Sequence, residues 1–302
     1  MALTLTESAK LSQDTLQRGV IETFARSSAI LELMPWMDVQ GNAYAYNQEG
    51  VLPGIGFRGV NEGYEESTGI INQASESLVI AGGDSDVDRF LVQTRSNIND
   101  VRAVHDAKKV KALGLAITNQ LFNGDTGVTP LGFDGFKKRI TGNQNILAGE
   151  DGGQLTQDML DELIDAVEGT PDALFVSKSM RRQMNALLRS SSHYTDTADN
   201  FGNAVKAYYG VPVRTIEQDN EGKDILGFNE VTGSSENTGS IYAVKFGPEE
   251  FVSGLQNGGI SVRDLGELNE KPVYRTRVEW YTGMAVFHPR AAARLSGILK
   301  SQ

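Results

Sequence analysis

The stretch Ala112–Phe136, ALGLAITNQLFNGDTGVTPLGFDGF, decides the fold. Its first half continues an amphipathic pattern that begins near Asp100. Val101, Val104, Leu113, Ile117 and Leu121 recur at spacings of three and four, while Asp106, Lys108, Lys109 and Lys111 fall mostly on other faces. The pattern predicts one helix over about 100–122, which at ~1.5 Å per residue spans ~34 Å and is long for a globular domain. Asn123-Gly124 reads as a left-handed stop, and the short segment Pro130-Leu131-Gly132 follows.

Toward the N-terminus, Thr4-x-x-Glu7 has the form of a capping box. Asp14, Arg18, Glu22 and Arg26 then alternate in sign every four residues, beside an apolar stripe of Leu16, Val20 and Phe24. This is a helical arm, read either as a surface helix of its own domain or as a segment that lies on a neighbour. From Gly41 to Gly83 there are nine glycines among short β-prone pieces, Ala43-Tyr44-Ala45-Tyr46 and Ser77-Leu78-Val79-Ile80. Their weak alternation predicts a long, twisted two-stranded excursion rather than part of a core sheet. A two-stranded ribbon is marginal in water, so a projecting one needs support from outside its own domain.

Beyond the long helix the chain reads as α/β. Thr156 caps a helix with Leu160, Leu163, Ile164 and Val167 on one face, ended by Gly169 and Pro171. Ala173–Val176 is a short buried strand, and Ser177 caps a second helix through Met180, Met184, Leu187 and Leu188. Tyr209–Val213 enters another strand, and Gly233–Gly239 is a polar loop where the chain leaves this lobe. Val273–Phe287 has the clearest period of two, Tyr274, Thr276, Val278 and Trp280 against Arg275, Arg277 and Glu279. His288-Pro289 ends it, and the Ala-rich run Arg290–Leu295 reads as a helical stub.

Composition narrows the function. The 302 residues suit one large domain or two ordinary ones, and 39% hydrophobic residues are enough for a core. No run approaches the roughly 20 apolar residues of a membrane span, and MALTLTESAK lacks a secretory pattern, so a soluble, intracellular protein is expected. With no cysteine there is neither a thiolate nucleophile nor a Cys-based metal site. A net charge of -11 opposes a grip on nucleic-acid phosphates.

The motifs that promise chemistry lack their context. Gly54-x-Gly56-x-x-Gly59 has the dinucleotide spacing, but Pro53 precedes it and no helical pattern follows, so it is a hairpin tip. Asp84-x-Asp86-x-Asp88 opens like a calcium loop, yet Arg89 and Arg95 hold the sixth and twelfth positions. That run reads as a solvated acidic turn before a helix. His105, His193 and His288 are scattered, and neither a G-x-S-x-G elbow nor a P-loop is present. No catalytic, cofactor or metal site is assigned.

The order of segments carries a resemblance. Arm, glycine-rich hairpin, long helix followed by Asn123-Gly124-Asp125 and Pro130-Leu131-Gly132, α/β lobe, and returning strands ending in Val286-Phe287-His288-Pro289-Arg290-Ala291 resemble the major capsid proteins of tailed bacteriophages. Encapsulins and the herpesvirus capsid floor share that fold. The resemblance implies an α+β protein with an N-terminal arm over 1–35 and an extended β-hairpin loop over 40–82. A peripheral domain would cover 83–141 and 241–302 and include the spine helix, with an α/β axial domain over 142–240. It implies a shell subunit, not an enzyme, forming pentamers and hexamers around double-stranded DNA without sequence-specific binding. It also implies a place in the virion capsid, after assembly in the host cytoplasm with a separate scaffolding protein, a portal protein and, in some shells, a decoration protein.

Interface residues follow from the same resemblance: Arg18, Phe24 and Arg26 on the arm, Phe57, Arg58, Glu62, Glu65 and Glu66 on the loop, and Glu267, Glu270 and Lys271 in the turn Gly266–Pro272. Some family members crosslink a loop lysine to a neighbour. Here no lysine lies between Lys10 and Lys108, so the shell is expected to be non-covalent. The alternatives are an encapsulin-type nanocompartment, a tail or connector subunit, and an enzyme whose site assembles only in three dimensions.

Overall fold

The computed structural model describes residues 28–51, 53–95, 101–189, 194–198 and 204–301. Most of the expected arm, with Arg18, Phe24 and Arg26, lies outside the described residues, as does His193. In chain order the elements are α1 (Ala29–Leu33), β1 (Trp36–Asp38), β2 (Ala43–Val51), β3 (Ile70–Ser77), β4 (Val79–Asp88), α2 (Arg89–Arg95) and α3 (Val101–Asn123). Then come α4 (Phe136–Arg139), β5 (Asn145–Leu147), α5 (Gln157–Asp165), β6 (Ala173–Ser177), α6 (Lys178–Leu187), β7 (Tyr194–Ala198), β8 (Ala204–Tyr208) and β9 (Val211–Ile216). The chain ends with β10 (Glu230–Thr232), β11 (Ser235–Val244), β12 (Val252–Gln256), β13 (Ser261–Glu267), β14 (Val273–Val286) and β15 (Ala292–Leu299). This is the expected α+β composition. Among the described residues no helix is long and apolar enough to cross a membrane.

Three sheets result. One runs β1-β12-β14-β13, with β4 also on β14; a larger one runs β5-β15-β11-β6-β9-β8-β7, with β10 on β11; β2 and β3 pair only with each other. The centre of the larger sheet is buried on both faces, so β6, the second half of β11 and β15 are nearly continuous buried runs. Leu174, Val176, Ile241 and Ala243 face a cluster with Leu160, Leu163, Met180 and Met184. Phe175, Tyr242 and Val244 point the other way, toward α3. The caps read from sequence are in place: Thr156 Oγ1 accepts from Met159 N at 3.4 Å and Ser177 Oγ from Met180 N at 3.1 Å.

The long helix joins the two larger sheets. Val110, Leu113, Ile117, Leu121 and Phe122 are buried in one cluster with Phe175 and Tyr242 of the larger sheet and Val278, Trp280 and Met284 of the smaller. Phe122 sits 5.6 Å from both Phe136 and Phe175 and 5.3 Å from Tyr242, distances at which tilted aromatic pairs attract beyond their buried area. Toward its N-terminus the helix emerges, and Val104 is 46% exposed. At the root of the arm, Glu32 of α1 pairs with Arg214 of β9, both buried. Removing either partner would strand a charge in the core.

Four local readings are corrected. Gly124 is not among the left-handed glycines. Its N–H continues the helical ladder to Gln120 O at 2.9 Å, and its carbonyl accepts from Gly135 N at 2.9 Å. A Cβ there would lie 2.4 Å from the carbonyl oxygens of Gln120 and Phe133, so close approach, not φ, requires glycine. Ala292–Leu299 is a strand instead of a helical stub, because it lies between β11 and β5 with Ala292, Ala293 and Leu295 buried, and tertiary context overrides alanine's helix preference. Val79–Asp88 leaves the ribbon and pairs along β14, so Asp84 and Asp86 sit on a strand and not in a turn. Gly233–Gly239 is mostly hairpin, with β10 antiparallel to β11.

The Gly124 geometry separates two readings by mutation. Gly124→Asn suits a left-handed site but not a crowded one, so Gly124→Ala and Gly124→Asn should both destabilise by roughly 1–3 kcal/mol, the scale of forced overpacking. Chemical denaturation checks this, and a well-tolerated Asn would restore the left-handed reading.

Candidate subunit interface

Among the described residues, the contacts that hold the ribbon of β2 and β3 to the body lie near its base. Tyr44 and Tyr46 pack on Phe287, with ring centroids 6.1 and 4.7 Å apart, in a small cluster with Val39, Leu255 and Ala285. The Tyr46 hydroxyl donates to Val286 O at 3.1 Å and lies 3.4 Å from Glu76 Oε1, while Gln48 Nε2 donates to Val286 O at 2.6 Å. Burial, and then the Glu76 carboxylate, push the Tyr46 phenol up to about 12, which keeps it a donor. Arg139 of α4 reaches Glu76 of β3 with two parallel bonds of 2.5 and 2.6 Å.

Farther out the ribbon is open to solvent. Residues 53–70 are all exposed, and Ile55 and Phe57 show 92% and 104% of their full surface, with Val60 and Tyr64 also outward. Arg58 stands 5.2 Å over the Tyr64 ring and donates to Glu62 O at 3.1 Å, and Glu62 Oε2 accepts from Gly59 N at 2.8 Å. Arg58 and Glu62 therefore shape the loop from within, while Glu65 and Glu66 are exposed carboxylates. Four apolar side chains in one exposed loop are what a buried contact with another chain would use.

The outer face of the smaller sheet is a charge ladder. Arg275 binds Asp86 through two bonds of 2.6 Å, and Arg277 binds Asp84 through bonds of 2.7 and 2.9 Å. Arg263 pairs with Glu279 at 2.7 Å on this face, while Arg102 of α3 pairs with Asp264 at 2.7 Å on the opposite face, beside Thr276. Hydrogen bonds from Arg277 and Arg275 hold Asp84 and Asp86 below the usual carboxylate range. At the end of this sheet Gly266 is left-handed at a bulge, Glu267 pairs with Arg89 at 3.3 Å, and Glu270 and Lys271 are exposed in the β13–β14 turn. The described candidates thus form two exposed groups, ribbon tip and sheet-end turn.

Comparisons with known proteins agree with this geometry. Residues 12–157 match the model of the family Major capsid protein GP7. The family match, over just under half of the chain, and the shared fold both make the chain similar to phage major capsid proteins. The SrpI encapsulin of Synechococcus elongatus PCC 7942 has the same fold with a TM-score of 0.69 at 18% identity, over 100% of this chain and 98% of that one. The capsid of a native GTA particle gives 0.67 at 12% identity over 90% of each chain, and Microbacterium phage Oxtober96 gives 0.62 at 12% over 90% of each. No curated protein matches the chain in sequence.

Sequence reasoning missed Ile55, Val60 and Tyr64 at the tip, the Arg139–Glu76 tie and the ladder. The ladder was legible in principle, since Asp84 and Asp86 have the same period of two as Arg275 and Arg277. Nothing local pairs Arg139 with Glu76, 63 positions apart.

The ladder sets a pH dependence. Native carboxylates held below their unfolded value of about 3.9 contribute stability above that pH, and the contribution is lost as pH falls through the native value. Relative to wild type, the double variant Asp84→Asn/Asp86→Asn should melt lower at pH 7, and the gap should shrink steadily below about pH 4. Melting curves from pH 7 to 2 test this; a gap constant with pH would remove the ladder as its cause.

Proposed function

We propose that this capsid protein builds a closed icosahedral shell from pentamers and hexamers around double-stranded DNA, held by non-covalent contacts. The observation that carries the reading is the ribbon, a marginal two-stranded element that keeps Ile55, Phe57, Val60 and Tyr64 in solvent far from its own core. Such a tip is stable chemistry only when a neighbour covers it. The acidic Glu65 and Glu66 beside it complement the exposed Lys108 and Lys111 on the long helix, the kind of charge match that fixes register more than it adds affinity. The turn with Glu267, Glu270 and Lys271 is a second contact, where several subunits meet. The arm, with Arg18, Phe24 and Arg26, would add a third.

In this reading residues 1–35 are the arm, 40–82 the extended loop, 83–141 and 241–302 the peripheral domain, and 142–240 the axial domain. A scaffolding protein, a portal and in some shells a decoration protein are the partners, with assembly in the host cytoplasm. The net charge of -11 suits a wall that encloses DNA without gripping it. The full-length match to an encapsulin favours a second reading, a cellular compartment with protein cargo. The contents of purified particles, DNA or protein, distinguish the two.

The role of the tip is tested by replacing Gly50–Gly69 with Asn-Gly, a two-residue hairpin turn. The variant should fold and stay soluble but fail to close shells in electron micrographs where wild type closes them. Normal shells from the shortened chain would remove the tip from the assembly mechanism.

A further inference from the structure

Arg139 occupies an unusual place. Its side chain and that of Glu76 are only 18% and 17% exposed, and its third bond, from Nε, goes to Asp134 O at 2.6 Å. Asp134 is in turn fixed by Thr126, whose N–H and Oγ1 both donate to Oδ1 at 2.8 Å. The guanidinium therefore joins the loop that follows the long helix to the base of the ribbon's second strand. A cavity of about 390 Å³ lies beside it, lined by Tyr46, Gln48, Glu76, Arg139, Ile140 and Val286 among others. On this flank directional polar bonds beside a cavity add to the packing of Tyr46 on Phe287.

We propose that Arg139, through its fork on Glu76 and with Tyr46 and Gln48 bonded to Val286, sets the angle at which the ribbon leaves the body, and so determines which neighbour position the tip reaches. This rests on the shell reading above. A planar guanidinium gripping a carboxylate through two parallel bonds fixes orientation as well as distance, which a single ammonium contact does not. The lever is long: from Glu76 to Ile70 the strand runs roughly 20 Å, so a tilt of about 10° at the base moves its far end by about 3–4 Å. That is the scale of one side-chain position, enough to shift the tip off its contact. Arg139 and Glu76 are positioning residues, since they act through the ribbon and need not touch the neighbour.

The test is Arg139→Lys, which keeps the charge and loses the fork, beside Arg139→Met/Glu76→Met, which keeps volume and removes both charges so that neither is left buried alone. Two readouts are taken on each: hydrogen exchange of the amides over 43–48 and 72–77 in the unassembled protein, and the size distribution of assembled particles by electron microscopy. The expected result is a folded body with unchanged protection over 110–122, exchange at the ribbon base at least tenfold faster, and a mixture of open and mis-sized particles. Wild-type exchange at the base together with uniform native-sized shells would overturn the proposal, as would a loosened base that still gives uniform native-sized shells. If the wild-type chain forms no shell with or without scaffold, the shell reading fails by itself. Exchange at the ribbon base then decides only whether the fork holds the ribbon.

Discussion

The C-terminal half of the long helix is the constraint on which the rest depends. It is buried between two sheets at once, and the ring of Phe122 lies among Phe136, Phe175 and Tyr242, so one helical segment supplies the core for both. Interiors packed at crystal-like density resist independent motion of their parts. The two sheets and the helix therefore form a stiff body. The chain that follows the helix folds back onto it so tightly that Gly124 admits no side chain.

Against that body, the exposed features are those that reach outward. The ribbon leaves from an aromatic cluster beneath Tyr46 and Phe287, and beyond residue 53 it is solvent-exposed. The smaller sheet turns a ladder of arginine–aspartate pairs outward and ends in an acidic turn. A stiff scaffold carrying exposed loops is the usual division between stability and recognition. In the proposed shell the partner is another copy of the same chain, so the angle between body and loop decides which part of that copy the tip meets.

Much of this was legible in sequence because it is local. Helical periodicity located α3, the hydroxyl caps Thr156 and Ser177 located α5 and α6, and strict alternation located β14 almost to the residue. The failures share one cause. Ala292–Leu299 has helical residues in a strand environment, Val79–Asp88 looks like ribbon until β14 lies beside it, and the acidic repeat at Asp84–Asp88 looks solvated until Arg275 and Arg277 arrive from the far end of the chain. Each was decided by a partner nearly 200 positions away or by burial on both faces, which local pattern does not encode.

The sequence by itself determined the element types, the long helix with its abrupt end, the absence of cysteine and of a loop lysine, and the order of segments that matches a shell subunit. These depend on periodicity, capping and composition, which act over a few residues. Only the tertiary structure decided which strands share a sheet, that Gly124 is a close approach and not a left-handed cap, that Ile55, Phe57, Val60 and Tyr64 are all exposed to solvent, and that Arg139 grips Glu76. Those depend on where distant segments meet. Once the meeting is made, burial strengthens each charge pair and crowding forbids each extra atom, and neither effect exists in the unfolded chain.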